Sequence, residues 1–153
     1  MNLSQNFTFE EMTYSDTAIR RNINNTPSET EIAKLTDLCN DVLEPLRTRL
    51  SIKFARPIGI RINSGYRSPK LNLVIGGVSS SQHCKGEAAD TLAIGIDIQD
   101  YFNYVKELVK ENIIEVDQCI YEYGSWVHIS YRKGNNRKQF LKIEHDGKGY
   151  QSI

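Results

Sequence analysis

Ser81-Gln82-His83-Cys84-Lys85-Gly86-Glu87-Ala88-Ala89-Asp90 runs from a polar loop into small apolar residues, and a later apolar segment, Trp126-Val127-His128, carries another imidazole. The two stretches read as halves of one metal site. An open zinc site takes three protein ligands from imidazole nitrogen and carboxylate oxygen and keeps a fourth position free; His83, Asp90 and His128 supply such a set. The chain has only three histidines, and two of them are here. Calcium and magnesium prefer all-oxygen shells, so two nitrogens with one carboxylate point to zinc. Gly86 allows a backbone conformation that other residues resist, and Ala88 and Ala89 are small enough to pack closely beside an ion. The loop can therefore fold back, with His83 on it, Asp90 at a strand start and His128 arriving from a neighbouring strand.

A chain of 153 residues with 39% hydrophobic residues suits one sizeable core, and the expectation is a single domain over residues 1–153. Lys plus Arg equals Asp plus Glu at 19 each, so no global field favours nucleic acid or an anionic membrane. There is also no paired-cysteine zinc site of the kind that nucleic-acid-binding zinc modules use. Cys39, Cys84 and Cys119 are odd in number and widely spaced, which argues against a disulfide framework and for a reducing compartment. Met1 to Asn6 lacks a basic region followed by an apolar run, and no segment approaches membrane-spanning length. The expectation is synthesis in the cytoplasm without a signal peptide, with release by another factor if the substrate lies outside. A monomer is expected.

The chain reads as helices first and strands later. Thr8 to Glu11 and Ser28 to Glu31 fit the capping-box pattern at a helix start. The second helix carries Ile32, Leu35, Leu38, Cys39, Val42, Leu43, Leu46 and Leu50 at spacings of three and four, which predicts the main core helix, kinked near Pro45. Residues 58–63 alternate as a strand that enters the loop of Ser64 to Ser68. Pro69 to Val74 predicts one short helical turn before Gly76-Gly77. Asp100 to Asn112 predicts an amphipathic helix with Tyr101, Phe102, Val105, Leu108 and Val109 inward. Residues 116–123, 126–131 and 139–143 alternate as a meander of antiparallel strands, and residues 144–153, His145 included, read as a loose polar tail. The resulting class is α+β, a small antiparallel sheet carrying the metal with helices packed on it.

The chain resembles the peptidase M15 family of zinc D-Ala-D-Ala carboxypeptidases and peptidoglycan endopeptidases, which has a Hedgehog/DD-peptidase-like fold. The matching residues are Ser64-Gly65-Tyr66-Arg67-Ser68, Leu71-Asn72 with Gly76-Gly77, Ser81 to Asp90, and Asp117-Gln118 leading to Trp126-Val127-His128. Met12 to Ala18 and Val42 to Arg47 are similar to a short, single-domain branch common in phages and prophages. The resemblance implies zinc-dependent hydrolysis of a peptide bond in cell-wall stem peptides, as in an endolysin, with no cofactor besides zinc. A non-catalytic zinc-stabilised phage structural or cell-wall-binding module is the alternative.

One departure from the family bears on the chemistry. Several branches place the acid/base carboxylate three residues before the last histidine, where this chain has Ser125; Glu122, six before, is the candidate instead. An odd-length hairpin loop puts Glu122 and His128 on one sheet face, whereas a two-residue Gly124-Ser125 turn puts them on opposite faces. Asp117 is the runner-up. Arg67 offers a planar fork of donors to a substrate carboxylate or an oxyanion, in line with the resemblance, or forms a structural ion pair. Ser81 and Gln82 either donate to substrate or hold the loop, Tyr66 and Trp126 are candidates to line the cleft, and Cys84 points away from the metal.

Overall fold

The computed structural model describes all 153 residues. Four helices, α1 (Phe9–Thr13), α2 (Asp16–Arg20), α3 (Glu29–Leu38) and α4 (Glu44–Lys53), precede β1 (Ile60–Ser64). Next come α5 (Pro69–Val74), a 3-10 turn over Gln82–Lys85, β2 (Ala88–Ala93) and α6 (Ile98–Lys110). Four strands follow: β3 (Gln118–Glu122), β4 (Trp126–Ser130), β5 (Gln139–Ile143) and β6 (Gln151–Ser152). The class is α+β, a mostly antiparallel six-stranded sheet with helices packed on it.

Local chemistry explains most helix boundaries and corrects several expected ones. The Thr8 hydroxyl accepts from the Glu11 amide at 3.1 Å, the hydroxyl half of a capping box. Ser28 also precedes a helix but makes no capping hydrogen bond. Ser15 caps α2 by accepting from the Ala18 amide, a short helix that the sequence reading missed. Asp97 caps α6 by accepting from the amides of Gln99 and Asp100, so this helix starts at Ile98, ahead of the expected Asp100. Around Pro45 the irregularity is a π-helical turn, Cys39–Leu43, closed by the Glu44 amide donating to the Cys39 carbonyl. Proline lacks an N–H and crowds the carbonyl four residues back; a widened turn just before it relieves that conflict without breaking the apolar stripe.

The strand order is β1-β2-β4-β3-β5-β6. β3 and β4 form the expected hairpin, but β5 runs parallel to β3, so the last strands are not a meander. The reason is occupancy: β2 pairs with the other edge of β4, which leaves only the free edge of β3 for β5. Residues 144–153 are not loose either, because Gln151 and Ser152 pair with β5 and the Ile153 amide donates to the Phe140 carbonyl. Alternation along the strands divides the sheet. Ala89, Ala93, Cys119, Val127 and Ile129 join Tyr101, Phe102 and Val105 of α6 in one core of 25 buried residues, which also takes in the stripe of α3 and α4. The opposite face is left for Asp90, His128, Ile120 and Glu122. No helix is long and apolar enough to cross a membrane.

Gly86 ends the 3-10 turn at φ +74°, and a Cβ there would lie 2.5 Å from the Glu31 carbonyl oxygen. Gly134 has a similar φ of +78° with nothing within 4 Å. Gly134→Ala therefore carries the left-handed backbone cost alone, about 1 kcal/mol, whereas Gly86→Ala adds the clash and should cost about 2 kcal/mol or more. Urea denaturation of both variants checks this, and equal losses would remove the close approach from the argument.

Candidate metal centre and cleft

Register places the site. Across one line of the sheet Ser64 pairs with Asp90, Asp90 with His128, His128 with Ile120, and Ile120 with Leu141. His128 and Asp90 are thus direct neighbours, and His83 joins them from the 3-10 turn. His83 Nε2 lies 3.4 Å and His128 Nδ1 3.1 Å from Asp90 Oδ1, and all three donor atoms fall within 4.8 Å of one another. Donors on a tetrahedron with bonds of about 2.0 to 2.1 Å stand about 3.3 Å apart, so this set fits a zinc-sized ion. The His83 ring is oriented by its other nitrogen, whose Nδ1–H donates to the Gly65 carbonyl at 2.7 Å and leaves the Nε2 lone pair facing inward. All three residues are buried. Burial alone would raise the Asp90 carboxyl, but the charge and hydrogen bonds of His83 and His128 reverse this and hold it well below the carboxylate range.

Two of these placements differ in detail from the sequence reading. His83 belongs to a 3-10 turn instead of an irregular loop, and Asp90 is the third residue of β2 instead of its first. The 3-10 turn is the tighter device: the Ser81 hydroxyl accepts from the His83 amide at 3.2 Å, and Gly86 closes the turn in the left-handed region.

The β3–β4 loop is Tyr123-Gly124-Ser125, since Glu122 pairs with Trp126. Its odd length puts Glu122 on the His128 face, with Glu122 Oε1 3.8 Å from His128 Nδ1. Burial and the nearby Asp90 charge push the Glu122 carboxyl up, opposed in part by His128, Trp126 and Arg67. The Trp126 indole N–H is buried without a hydrogen-bond partner.

These groups open into a cleft of about 490 Å³ that Arg67, Ser81, Gln82 and Trp126 also line. Arg67 has no carboxylate within ion-pair distance, and its Nε is buried without a hydrogen-bond partner, so the structural ion pair considered for it is not formed. Its backbone amide donates to the His83 carbonyl, which ties its loop to the ligand turn. Ser81 and Gln82 hold the turn: Gln82 Nε2 donates to Asp117 and to Glu87. Tyr66 does not line the cleft; it is 4% exposed and packs in the main core. Cys84 is not part of the His-Asp-His group. His145 is exposed but stacks on Tyr123, with ring centroids 4.3 Å apart.

Sequence reasoning missed Gln118, Arg137, Leu141 and Tyr150, all of which line the cleft. Gln118 and Ile120 were within reach, since they alternate with Glu122 along β3. Tyr150 gave no local signal.

Asp117 turns out to be structural. It is fully buried and accepts from Arg137 Nε, Nη2 and backbone N–H at 3.0, 2.7 and 2.9 Å, and from Gln82 at 3.0 Å. Burial works to raise its carboxyl, but the Arg137 bonds prevail and hold it below its ordinary value. Asp117→Ala strands these donors and should cost about 2 to 4 kcal/mol. A depressed folded pKa means that the contribution is complete above about pH 4 and is lost as pH falls through the folded value. Denaturation curves should therefore show the parent's advantage over Asp117→Ala shrinking on acidification, and a gap that widens below pH 4 would contradict this account.

No curated protein matches this sequence. A family profile described as Peptidase M15 matches residues 5–130, a span that contains His83, Asp90, Glu122 and His128. With a buried His-Asp-His group suited to a metal ion and the matched span covering most of the chain, the protein belongs to the peptidase M15 family and is a metallopeptidase by that membership.

Proposed function

We propose that the protein is a zinc peptidase that hydrolyses a peptide bond in bacterial cell-wall stem peptides, in the manner of a phage or prophage endolysin. The observation that carries this reading is Glu122, a carboxyl raised by burial, 3.8 Å from His128 on the face and in the cleft that hold the His-Asp-His group. A module that used the metal for stability alone would have no need of such a group there. His83, Asp90 and His128 would hold a zinc ion, which when bound would polarise the scissile carbonyl and make a water molecule more acidic. Glu122 takes the proton from the attacking water as its oxygen bonds to the carbonyl carbon, then delivers that proton to the leaving amine as the C–N bond breaks. A raised pKa suits a group that must accept and return a proton near neutrality. Arg67, charged and without a partner, binds the negative charge that develops on the carbonyl oxygen or a carboxylate of the peptide. The wall lies outside the cytoplasm, so this reading includes release by another factor.

Protein purified without chelator should contain about one equivalent of zinc, as for a mononuclear open site. Asp90→Ala should lose it. Glu122→Gln should keep the metal while muropeptide turnover falls by about 10² to 10⁴, the usual weight of a general acid/base. Parent-like turnover by Glu122→Gln would overturn its role. Product masses identify whether a D,D-carboxypeptidase, D,D-endopeptidase or L-alanyl-D-glutamate bond is cut.

Lysine at position 67 keeps the charge but loses the planar fork. Arg67→Lys should lower kcat/KM on muropeptides about tenfold or more, roughly 1.4 kcal/mol of transition-state stabilisation, at unchanged zinc content. Equal rates would remove Arg67 from the site, and efficient cleavage of casein by the parent would refute the cell-wall substrate.

A further inference from the structure

The carboxamide of Asn25 acts on both sides of Arg67. Asn25 lies in the irregular stretch between α2 and α3, half-buried, with the buried residues Ile23 and Pro27 two positions away on either side. Its Nδ2 donates to the Thr13 carbonyl at 2.8 Å and to the Tyr66 carbonyl at 3.1 Å, and its Oδ1 accepts from the Ser68 amide at 2.7 Å. Both donor hydrogens and one oxygen lone pair are thus engaged with backbone. The Tyr66 amide donates to the Met12 carbonyl at 2.7 Å, so the loop already lies against the end of α1. Asn25 joins the next carbonyl on each segment. Without its NH2 group, the Thr13 and Tyr66 carbonyls would converge with no protein donor between them.

The Tyr66 carbonyl belongs to the peptide group that enters Arg67, and the Ser68 amide to the peptide group that leaves it. Peptide groups are planar, so between two of them the chain turns only at φ and ψ of the residue they share. A single carboxamide bonded to both planes therefore restrains both dihedrals of Arg67, and with them the direction of its Cα–Cβ bond. The entering plane is also held from its other edge, because the Arg67 amide donates to the His83 carbonyl at 3.1 Å. On the leaving side the Ser68 hydroxyl accepts from the Leu71 amide and caps α5. The guanidinium has no comparable support, since Nε is buried without a partner in a side chain that lines the cleft. Its aim comes from its backbone. We propose that Asn25 is the positioning residue of Arg67: it presets that backbone so that the guanidinium meets negative charge on the substrate already oriented. The assignment rests on the peptidase reading above and adds to it a residue outside the cleft lining.

The test uses zinc-loaded, 15N-labelled protein and the Nε–H of Arg67, identified in the NMR spectrum by its loss in Arg67→Lys. In the parent its heteronuclear NOE should match the amides of β2 and β4, far above that of the exposed Arg21 side chain. Asn25→Ala should remove at least half of that difference while the strand amides and the zinc content stay as in the parent. Asn25→Asp is equal in size and keeps the acceptor for Ser68, but it turns oxygen toward the Thr13 and Tyr66 carbonyls; it should give the same loss, and it decides the matter if the alanine variant does not fold. On muropeptides, either variant should lower kcat/KM about fivefold or more with Arg67 present and about twofold or less in an Arg67→Ala background, the coupling expected when one residue acts through the other. An Arg67 Nε–H as ordered in the variants as in the parent would overturn the proposal. So would a kinetic loss of equal size in both backgrounds, or loss of zinc or of the fold in both variants, which are the results of a merely structural role. A parent that cleaves no muropeptide would refute the peptidase reading, and the Nε–H measurement alone would then decide whether Asn25 orients Arg67.

Discussion

The structure is organised around a carboxylate that water barely reaches. Asp90 sits on a sheet face with little exposure, and a buried charge of that kind persists only where opposite charge and hydrogen bonds replace its hydration. His128 comes to it through the pairing of β2 with β4, and His83 through a 3-10 turn closed by Gly86. The turn is in turn clamped: His83 Nδ1–H donates to Gly65, the Arg67 amide donates to His83, and the Tyr66 amide donates to Met12 at the end of the first helix. Three stretches distant in sequence are therefore locked by the need to neutralise one side chain.

A second buried carboxylate shows how environment divides identical chemistry. Asp117 has the same functional group as Asp90 and still less exposure, yet its oxygens are filled by Arg137 and Gln82. Nothing is left for an ion or a proton transfer. Asp90 meets two imidazoles whose ring nitrogens, unlike a guanidinium, also have lone pairs to give a metal. One acid ties the outer strands to the ligand turn, and the other has the surroundings of a metal ligand.

Glu122 depends on parity instead of proximity in sequence. Ser125, the residue three before His128, is consumed in the hairpin loop, where its hydroxyl donates to the Tyr123 carbonyl. Because that loop has three residues, Glu122 pairs with Trp126 and shares its face, and strand alternation puts His128, two residues on, on that face as well. Tyr123 accepts a φ of +56° to make the turn possible.

The sequence by itself determined the elements with local causes: the stripe of α3 and α4, the apolar side of α6, the hairpin strands, the residues of the His-Asp-His group and the family. Spacing of apolar residues, the scarcity of histidine and a loop with Gly86 carry that information along the chain. Tertiary structure decided what depends on partners far away. Whether Asp117 or Glu122 faces the cleft turned on Arg137 and on loop parity, and the place of β5 turned on β2 having taken the edge of β4. Tyr66 has the polar hydroxyl of a cleft residue, yet the backbone bond to Met12 draws it into the core. The last ten residues read as a loose tail because they lack an apolar pattern, but two backbone pairings to β5 hold them and put Tyr150 over the cleft. Strand pairing is a contract between backbone groups, and its partners are not written in the side chains of either strand alone.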